Sequence, residues 1–293
     1  MERSRKKLIV PYLLPAIILY LGFFLIPAFY GGYISFQKWS GFNEAMQFVG
    51  LENYSRIFRD PVYWSSFKNM MLILVVGGIY VFLISFLFTA LMSHGLKAKK
   101  AIRAIIFFPH IIAPVAMAVI WNYLYRYDIG LFNSILGAFN VDPINWTGPQ
   151  NIMSSALISI VWYSVGLYLV LLLAGVDKIP NTLFEAARIE GASTFQIFVK
   201  ITLPLIWDVM SIAIILWGIH AIRLFDFLFA LGGAEPPVRI WNTALYQYLL
   251  GFGERTPIYD LGYSSAIAVS MVLIVVIFVV FGRKLFRRDV YEF

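Results

Sequence analysis

Apolar runs as long as a bilayer is thick alternate with short polar connections along nearly the whole chain. Charge-free stretches extend from Leu8 to Gln37, Asn69 to Leu96, Ala104 to Tyr125, Pro143 to Val176 and Leu261 to Gly282. A hydrocarbon core about 30 Å thick needs roughly 20 apolar residues of helix, so each stretch is long enough to cross. A sixth gap, Val209 to Ile222, is too short alone, but apolar sequence continues past Asp208 and Arg223 and predicts a helix from Leu205 to Leu231. The pattern predicts an all-α integral membrane protein with six transmembrane helices. The first run follows a basic start but far exceeds the 7–15 residues of a signal-peptide core and lacks a small-x-small cleavage site, so it reads as a retained helix.

Composition agrees with lipid as the main partner. The 293 residues are 60% hydrophobic and only 13% charged, about half the usual charged share, so a soluble surface is excluded. The net charge of +7 is a matter of position. Six crossings put both termini on one side, which then holds Arg3 to Lys7, Lys97 to Arg103, Lys178, Arg188, Lys200 and Arg283 to Arg288, fifteen of the 23 Lys and Arg. That side is predicted to be cytoplasmic. Positive charge confined to short juxtamembrane clusters fixes topology and argues against a nucleic-acid partner. The division expected is 1–64 for the amino terminus, first helix and first outer loop, 65–286 for the remaining five helices, and 287–293 for a cytoplasmic tail. The outer loop from Lys38 to Lys68 is expected to fold as short helices.

Resident chemistry is sparse. Cysteine is absent, and His94, His110 and His220 are far apart in sequence with no i, i+4 partner, so no metal centre is expected. The chain has no G-x-x-x-x-G-K-[ST] run, and no convergent acid-base cluster suggests an enzyme. The middles of helices one, two, four and six hold no ionisable residue, which disfavours the alternative of an ion-coupled secondary transporter acting without an ATPase.

The connection between the fourth and fifth helices, 177–204, is built to fold. Asn181 or Thr182 can cap a helix, Glu185 three residues after Thr182 would complete a capping box, and Gly191 can take the left-handed conformation that ends it. Ala192-Ser193-Thr194 offers a second cap before a helix that reaches Pro204. A helix-turn-helix elbow at the membrane surface is predicted. Ala186 and Ala187 would give it a face of little bulk, with Leu183 and Phe184 as apolar anchors for a partner. An ordinary capped loop is the alternative.

The residues of this segment, Glu185-Ala186-Ala187-x-x-Glu190-Gly191-Ala192 followed by Phe198-x-x-Ile201-x-Leu203-Pro204, resemble the EAA loop of type I ABC importer permeases. Leu14-Pro15 with Pro27, Phe48 to Tyr54, Gly130-x-x-Asn133, and Phe225-Asp226 with Gly232-Gly233 resemble the carbohydrate branch of that family, nearer its maltose-permease F-type than its G-type form. The resemblance covers essentially the whole chain. It implies a subunit of an ATP-driven sugar importer in the bacterial inner membrane, in which Glu185, Ala186, Ala187, Gly191 and Ala192 dock on an ATPase. It implies as partners a second, non-identical permease, two ATP-binding subunits and an extracytoplasmic substrate-binding protein. No cofactor belongs to this chain, since ATP and magnesium would sit in the ATPase.

Sugars are held by aromatic faces and by groups that bond to hydroxyls, and two helices carry such residues at mid-depth. Through the EAA loop the resemblance sets Tyr163, Ser164 and Leu167 of helix four, and Trp217, Ala221 and Leu224 of helix five, at pocket-lining positions. His220 lies beside them. Packing between helices is the competing role for Trp162 and Trp217. Arg223 and Asp226, spaced i, i+3, would share a helix face near the outer boundary, as an outer gate or as a snorkelling pair. Trp121, Asn122 and Tyr125 read as an interfacial belt.

Overall fold

The computed structural model describes residues 12–41, 45–92, 99–233, 235–253 and 259–286. Arg3 to Lys7, His94, Lys97, Arg255 and the tail 287–293 lie outside the described residues. In chain order the elements are α1 (Tyr12–Ile34), β1 (Gln37–Lys38), β2 (Gln47–Phe48), α2 (Glu52–Arg59), α3 (Pro61–Met92), α4 (Lys99–Ile111), α5 (Pro114–Leu124) and α6 (Leu131–Ala138). They continue with α7 (Ile152–Val176), α8 (Asn181–Ile189), α9 (Thr194–Leu205), α10 (Trp207–Arg223), α11 (Asp226–Gly232), α12 (Thr243–Phe252) and α13 (Leu261–Phe286).

Among the described residues four helices, α1, α3, α7 and α13, are long and apolar enough to cross a membrane, and counting each of two bent pairs as one span gives up to six. The bends depart from the uninterrupted third and fifth helices expected from the sequence. Between α4 and α5 the chain turns by 99°, because Ala113 precedes Pro114 and is held extended at φ −56°, ψ 137°. Between α9 and α10 it turns by 76° at Ile206, two residues after Pro204. The expected helix from Leu205 to Leu231 breaks a second time at Leu224, which is extended at ψ 115°. The side-chain amide of Asn242 donates to the freed Leu224 carbonyl, and the same side chain accepts from the Leu245 N–H at the start of α12. One residue thus satisfies two helix ends that lipid could not.

The chain divides into two compact units. The first comprises Met1–Pro61 with Gln247–Val272. In it the outer loop forms a two-residue antiparallel pairing, Gln37 opposite Phe48 and Lys38 opposite Gln47, followed by α2, where short helices alone were expected. Asn53 of α2 donates to the carbonyls of Ser35 and Gln37, both at 2.9 Å. Arg56 pairs with Asp260 and lies over the Tyr263 ring, whose hydroxyl donates to Asp60 at 2.7 Å.

The second unit, Val62–Tyr246 with Leu273–Phe293, is organised on α7, which packs along α3 and α4. Gly166 permits a close approach of α7 to α4, since a side chain there would overlap the backbone of Ile106 and Phe107. Trp121 and Tyr125 are buried in an aromatic group with Phe132, Trp146 and Trp162. The Asn122 amide donates toward the carbonyls of Ala230 and Leu231. These three residues are therefore interior packing and not the interfacial belt expected, because the loop carrying α6 folds back over them.

Candidate functional site

The elbow after α7 is assembled from local signals. Asp177 caps the carboxyl end of α7 and accepts from Lys99 at 2.8 Å and Arg103 at 2.9 Å, both on α4. Partial burial pushes its carboxyl upward, but the hydrogen bonds from Lys99 and Arg103 outweigh this and hold it below the ordinary carboxylate value. Pro180, at φ −56° and ψ 131°, then starts α8, with Asn181 as its first residue. The capping box expected from Thr182 and Glu185 does not form, because the helix begins one residue earlier and Thr182 already lies within the first turn. The far end behaves as expected of Gly191, which takes φ +80°. The N–H of Gly191 donates to Arg188 and that of Ala192 to Ala187, each at 3.0 Å, the paired bonds of a Schellman ending. Ser193 and Gln196 then form the second cap reciprocally and open α9.

This geometry divides the elbow into two faces. Phe184 and Ala187, one helical turn apart, are buried against Leu172, Val176, Ile179, Ile197, Ile206 and Met210. Phe184 is therefore an anchor within the chain and not for a partner, and Ala187 contributes closeness of packing instead of an open face. Glu185, Ala186 and Gly191 are exposed and Ala192 is half-buried. Ile189 and Phe195 are 87% and 75% exposed, a large apolar pair outside any core that the sequence reading did not single out. The signal available was the i, i+3 spacing of Phe184 and Ala187, which puts Ile189 on the opposite face.

A second constellation forms where α4, α7 and α10 meet. One turn from the close approach at Gly166, Tyr163 stacks on His110 with ring centroids 6.4 Å apart. On its other side the Tyr163 hydroxyl lies 3.4 Å from Nε2 of His220. Two histidines distant in sequence therefore flank one tyrosine, and His110 was not among the expected site residues. Beyond His220 opens a cavity of about 370 Å³ lined by Pro114, Leu216, Ile219, His220, Arg223, Leu224, Phe225 and Asp226. Its size falls in the range of about 300–1,000 Å³ common for small-ligand sites.

Arg223 and Asp226 both border this cavity, but not as the helical pair expected. The break at Leu224 and Phe225 separates the end of α10 from the start of α11, so the i, i+3 relationship of a continuous helix is lost, and none of the ion pairs among the described residues joins the two side chains. Each charge instead suits its own helix end: Arg223 lies in the last turn of α10 and Asp226 in the first turn of α11. Both are exposed.

The other expected pocket residues lie behind the cavity wall. Trp217 is buried, its indole N–H donates to the Leu74 carbonyl at 2.8 Å, and its ring lies against Gly77 and Gly78. Ala221 and Ser164 are also buried, and Leu167 is half-buried. None of these four borders the cavity.

The family profile described as "Binding-protein-dependent transport system inner membrane component" matches residues 83–290. The chain is 34% identical over 284 residues to the trehalose/maltose transport system permease protein MalF of Thermococcus litoralis, covering 94% of this chain and 93% of that one. It is 30% identical to the sn-glycerol-3-phosphate transport system permease protein UgpA of Salmonella typhi, with 92% of each chain covered. Among solved structures, a bacterial ABC transporter involved in import of the acidic polysaccharide alginate contains a chain of the same fold, with a TM-score of 0.84 at 22% identity, covering 99% of this chain and 98% of that one.

Proposed function

This chain belongs to the family of inner-membrane components of binding-protein-dependent transport systems, and on that premise we propose that it forms, with a second, non-identical permease, the path by which a sugar or sugar derivative enters the cell. It is the transmembrane, non-catalytic component of an ABC transporter. Two ATP-binding subunits supply the energy, with ATP and magnesium held in those chains, and an extracytoplasmic binding protein delivers the substrate. Both termini are cytoplasmic, so the elbow formed by α8 and the start of α9 faces the ATPase.

The observation that carries the path assignment is the cavity at the break between α10 and α11, where His220, Arg223 and Asp226 surround one open volume. A helix that breaks at membrane depth leaves backbone groups that must be satisfied, which is tolerated where the break lines a cavity. Here a sugar would meet an acceptor in Asp226, donors in Arg223 and His220, and apolar contact from Leu216, Ile219 and Leu224. Tyr163 orients His220 from behind. Trp217, Ala221, Ser164 and Leu167 fix the helices that carry these groups.

At the elbow, Glu185, Ala186 and Gly191 form the surface offered to the ATPase, with Ile189 and Phe195 as apolar contacts. Phe184 and Ala187 transmit the load by packing on α7 and α10. Substrate relatives are diverse, as the names of MalF and UgpA indicate, and the sugar class is the proposal those relatives favour.

Reconstitution tests the assignment. Vesicles holding the transporter with its ATPase and loaded binding protein should accumulate substrate only with ATP, and Arg223→Gln and Asp226→Asn should each lower uptake while the complex stays assembled. Undiminished uptake by both variants would remove the cavity from the path. Accumulation by this chain alone on an ion gradient would overturn the importer reading in favour of a secondary carrier.

A further inference from the structure

At the far end of the second unit, α10 begins where α13 ends, and a cavity of about 620 Å³ opens between them. Its lining mixes Asp208, Ser211, Arg283 and Lys284 with Ile212, Ile215 and Phe286. The wall is fixed: the Trp207 indole donates to the Phe286 carbonyl at 2.8 Å, and Gly282 lies against Ile215. Trp207 together with Arg283 and Lys284 in the last turn of α13 marks this level as a membrane boundary. Ile212, Phe281 and Leu285, which are exposed, continue the surface as an apolar face of acyl-chain character.

The charges around this cavity are not neutralised by one another. Asp208, Arg283 and Lys284 are exposed, and no ion pair among the described residues joins Asp208 to either cation. Two cations and one carboxylate around a single volume at the boundary match a headgroup bearing both a phosphodiester and a primary ammonium. The geometry points to a site for phosphatidylethanolamine. Arg283 and Lys284 bind the phosphodiester, Asp208 accepts from the ammonium, and the acyl chains run over Ile212 and Leu285. The Ser211 hydroxyl donates to Trp207, which leaves its oxygen lone pairs for the ammonium. A choline headgroup has no N–H to give Asp208, so the site discriminates between two zwitterionic lipids of equal net charge. A purely anionic headgroup would meet Asp208 unfavourably.

Native mass spectrometry of the transporter purified from membranes, titrated with phosphatidylethanolamine, phosphatidylcholine and phosphatidylglycerol, tests this. Wild type should retain the ethanolamine lipid over the choline lipid about fivefold, the ratio expected for one hydrogen bond that choline cannot make. Asp208→Ala, which removes the acceptor, should bring that ratio near one. Arg283→Ala with Lys284→Ala should lower retention of both zwitterionic lipids by about 25-fold, the loss expected for two basic side chains at the membrane surface. An unchanged ratio in Asp208→Ala, undiminished retention in the double variant, or preference of wild type for phosphatidylglycerol would each overturn the site. Should the double variant fail to assemble, a photoreactive phosphatidylethanolamine on wild type decides: labelling of the 207–215 segment supports the site, and labelling confined to other segments rejects it.

Discussion

The indole nitrogen of Trp217 on α10 lies 2.8 Å from the carbonyl oxygen of Leu74, in the π-helical segment Ile73–Gly77 of α3. A π-turn loosens the regular carbonyl ladder, and in lipid a carbonyl without a partner is costly. Trp217 fills that need, while Gly77 and Gly78 make room for its ring. Trp217→Phe, which keeps most of the volume and loses the N–H, should destabilise the transporter by about 1–3 kcal/mol, the usual penalty for an unsatisfied buried group. Trp217→Ala should cost about 3–5 kcal/mol. Thermal denaturation of the purified transporter measures both. Substrate affinity should be little changed in the Phe variant; a large affinity loss with unchanged stability would return Trp217 to the pocket.

Gly166 sets the distance between α7 and α4. A Cβ there meets backbone atoms of Ile106 and Phe107, which cannot swing aside as a side-chain end could. Gly166→Ala should therefore separate the two helices and cost about 1–3 kcal/mol, as overpacking does. Because His110 and Tyr163 lie one turn away, the same variant should lower uptake even in the fraction that assembles. Gly137, with open space around the position of its Cβ, is the control that should tolerate alanine.

How far the sequence carried the fold is clearest at its bends. Charge-free runs located the four long apolar helices and the first bent pair, and apolar sequence flanking a shorter gap located the second, since the cost of charge in lipid acts on single residues and leaves a direct record. The interruptions at Ala113 and Ile206 had visible causes in Pro114 and Pro204, but apolarity runs straight through them and outweighed the backbone signal. The break at Leu224 had none, because its compensation comes from Asn242, 18 residues further on. The site shows the same limit. Local capping at Gly191 and Ser193 was legible, whereas the convergence of His110, Tyr163 and His220 depends on how close three helices pack, of which Gly166 sets the α7–α4 distance.

Asp177 ties the end of α7 to Lys99 and Arg103 immediately before the elbow. Its carboxyl is nearly half exposed, so each pair is worth at most about 0.2–1 kcal/mol. Its folded-state value is lowered from the ordinary 3.8, so the contribution is fully present above that value and is lost as pH falls through the lowered one. Asp177→Asn should lower the thermal midpoint modestly at neutral pH, with a constant gap to wild type down to about pH 5 and a narrowing gap below pH 4. A gap that widens on acidification would show that the clasp is not what Asp177 supplies.

Ala186 and Ala187 are adjacent in sequence and opposite in situation, and that difference separates coupling from folding. Ala186 is exposed on the elbow, while Ala187 is 9% exposed and packs with Phe184 against the ends of α7 and α10. A large side chain at Ala187 must displace Ile197 or Ile206 or push α8 away from α7, at about 1–3 kcal/mol or more. Ala187→Trp should therefore reduce the amount of assembled transporter and its thermal midpoint. Ala186→Trp leaves that core untouched, so the chain should insert and fold as wild type, with an unchanged midpoint. If the ATPase sits on the outer face of α8, however, the added indole holds it off, and loaded binding protein should no longer stimulate ATP hydrolysis. Uptake would fall with it, while basal hydrolysis by the ATPase persists. Measuring midpoint and stimulated hydrolysis in both variants gives a crossed result: one loses the fold, the other the coupling. Normal stimulation in Ala186→Trp would place the ATPase contact elsewhere on the elbow, at Ile189 and Phe195, where Ile189→Glu repeats the test without added bulk.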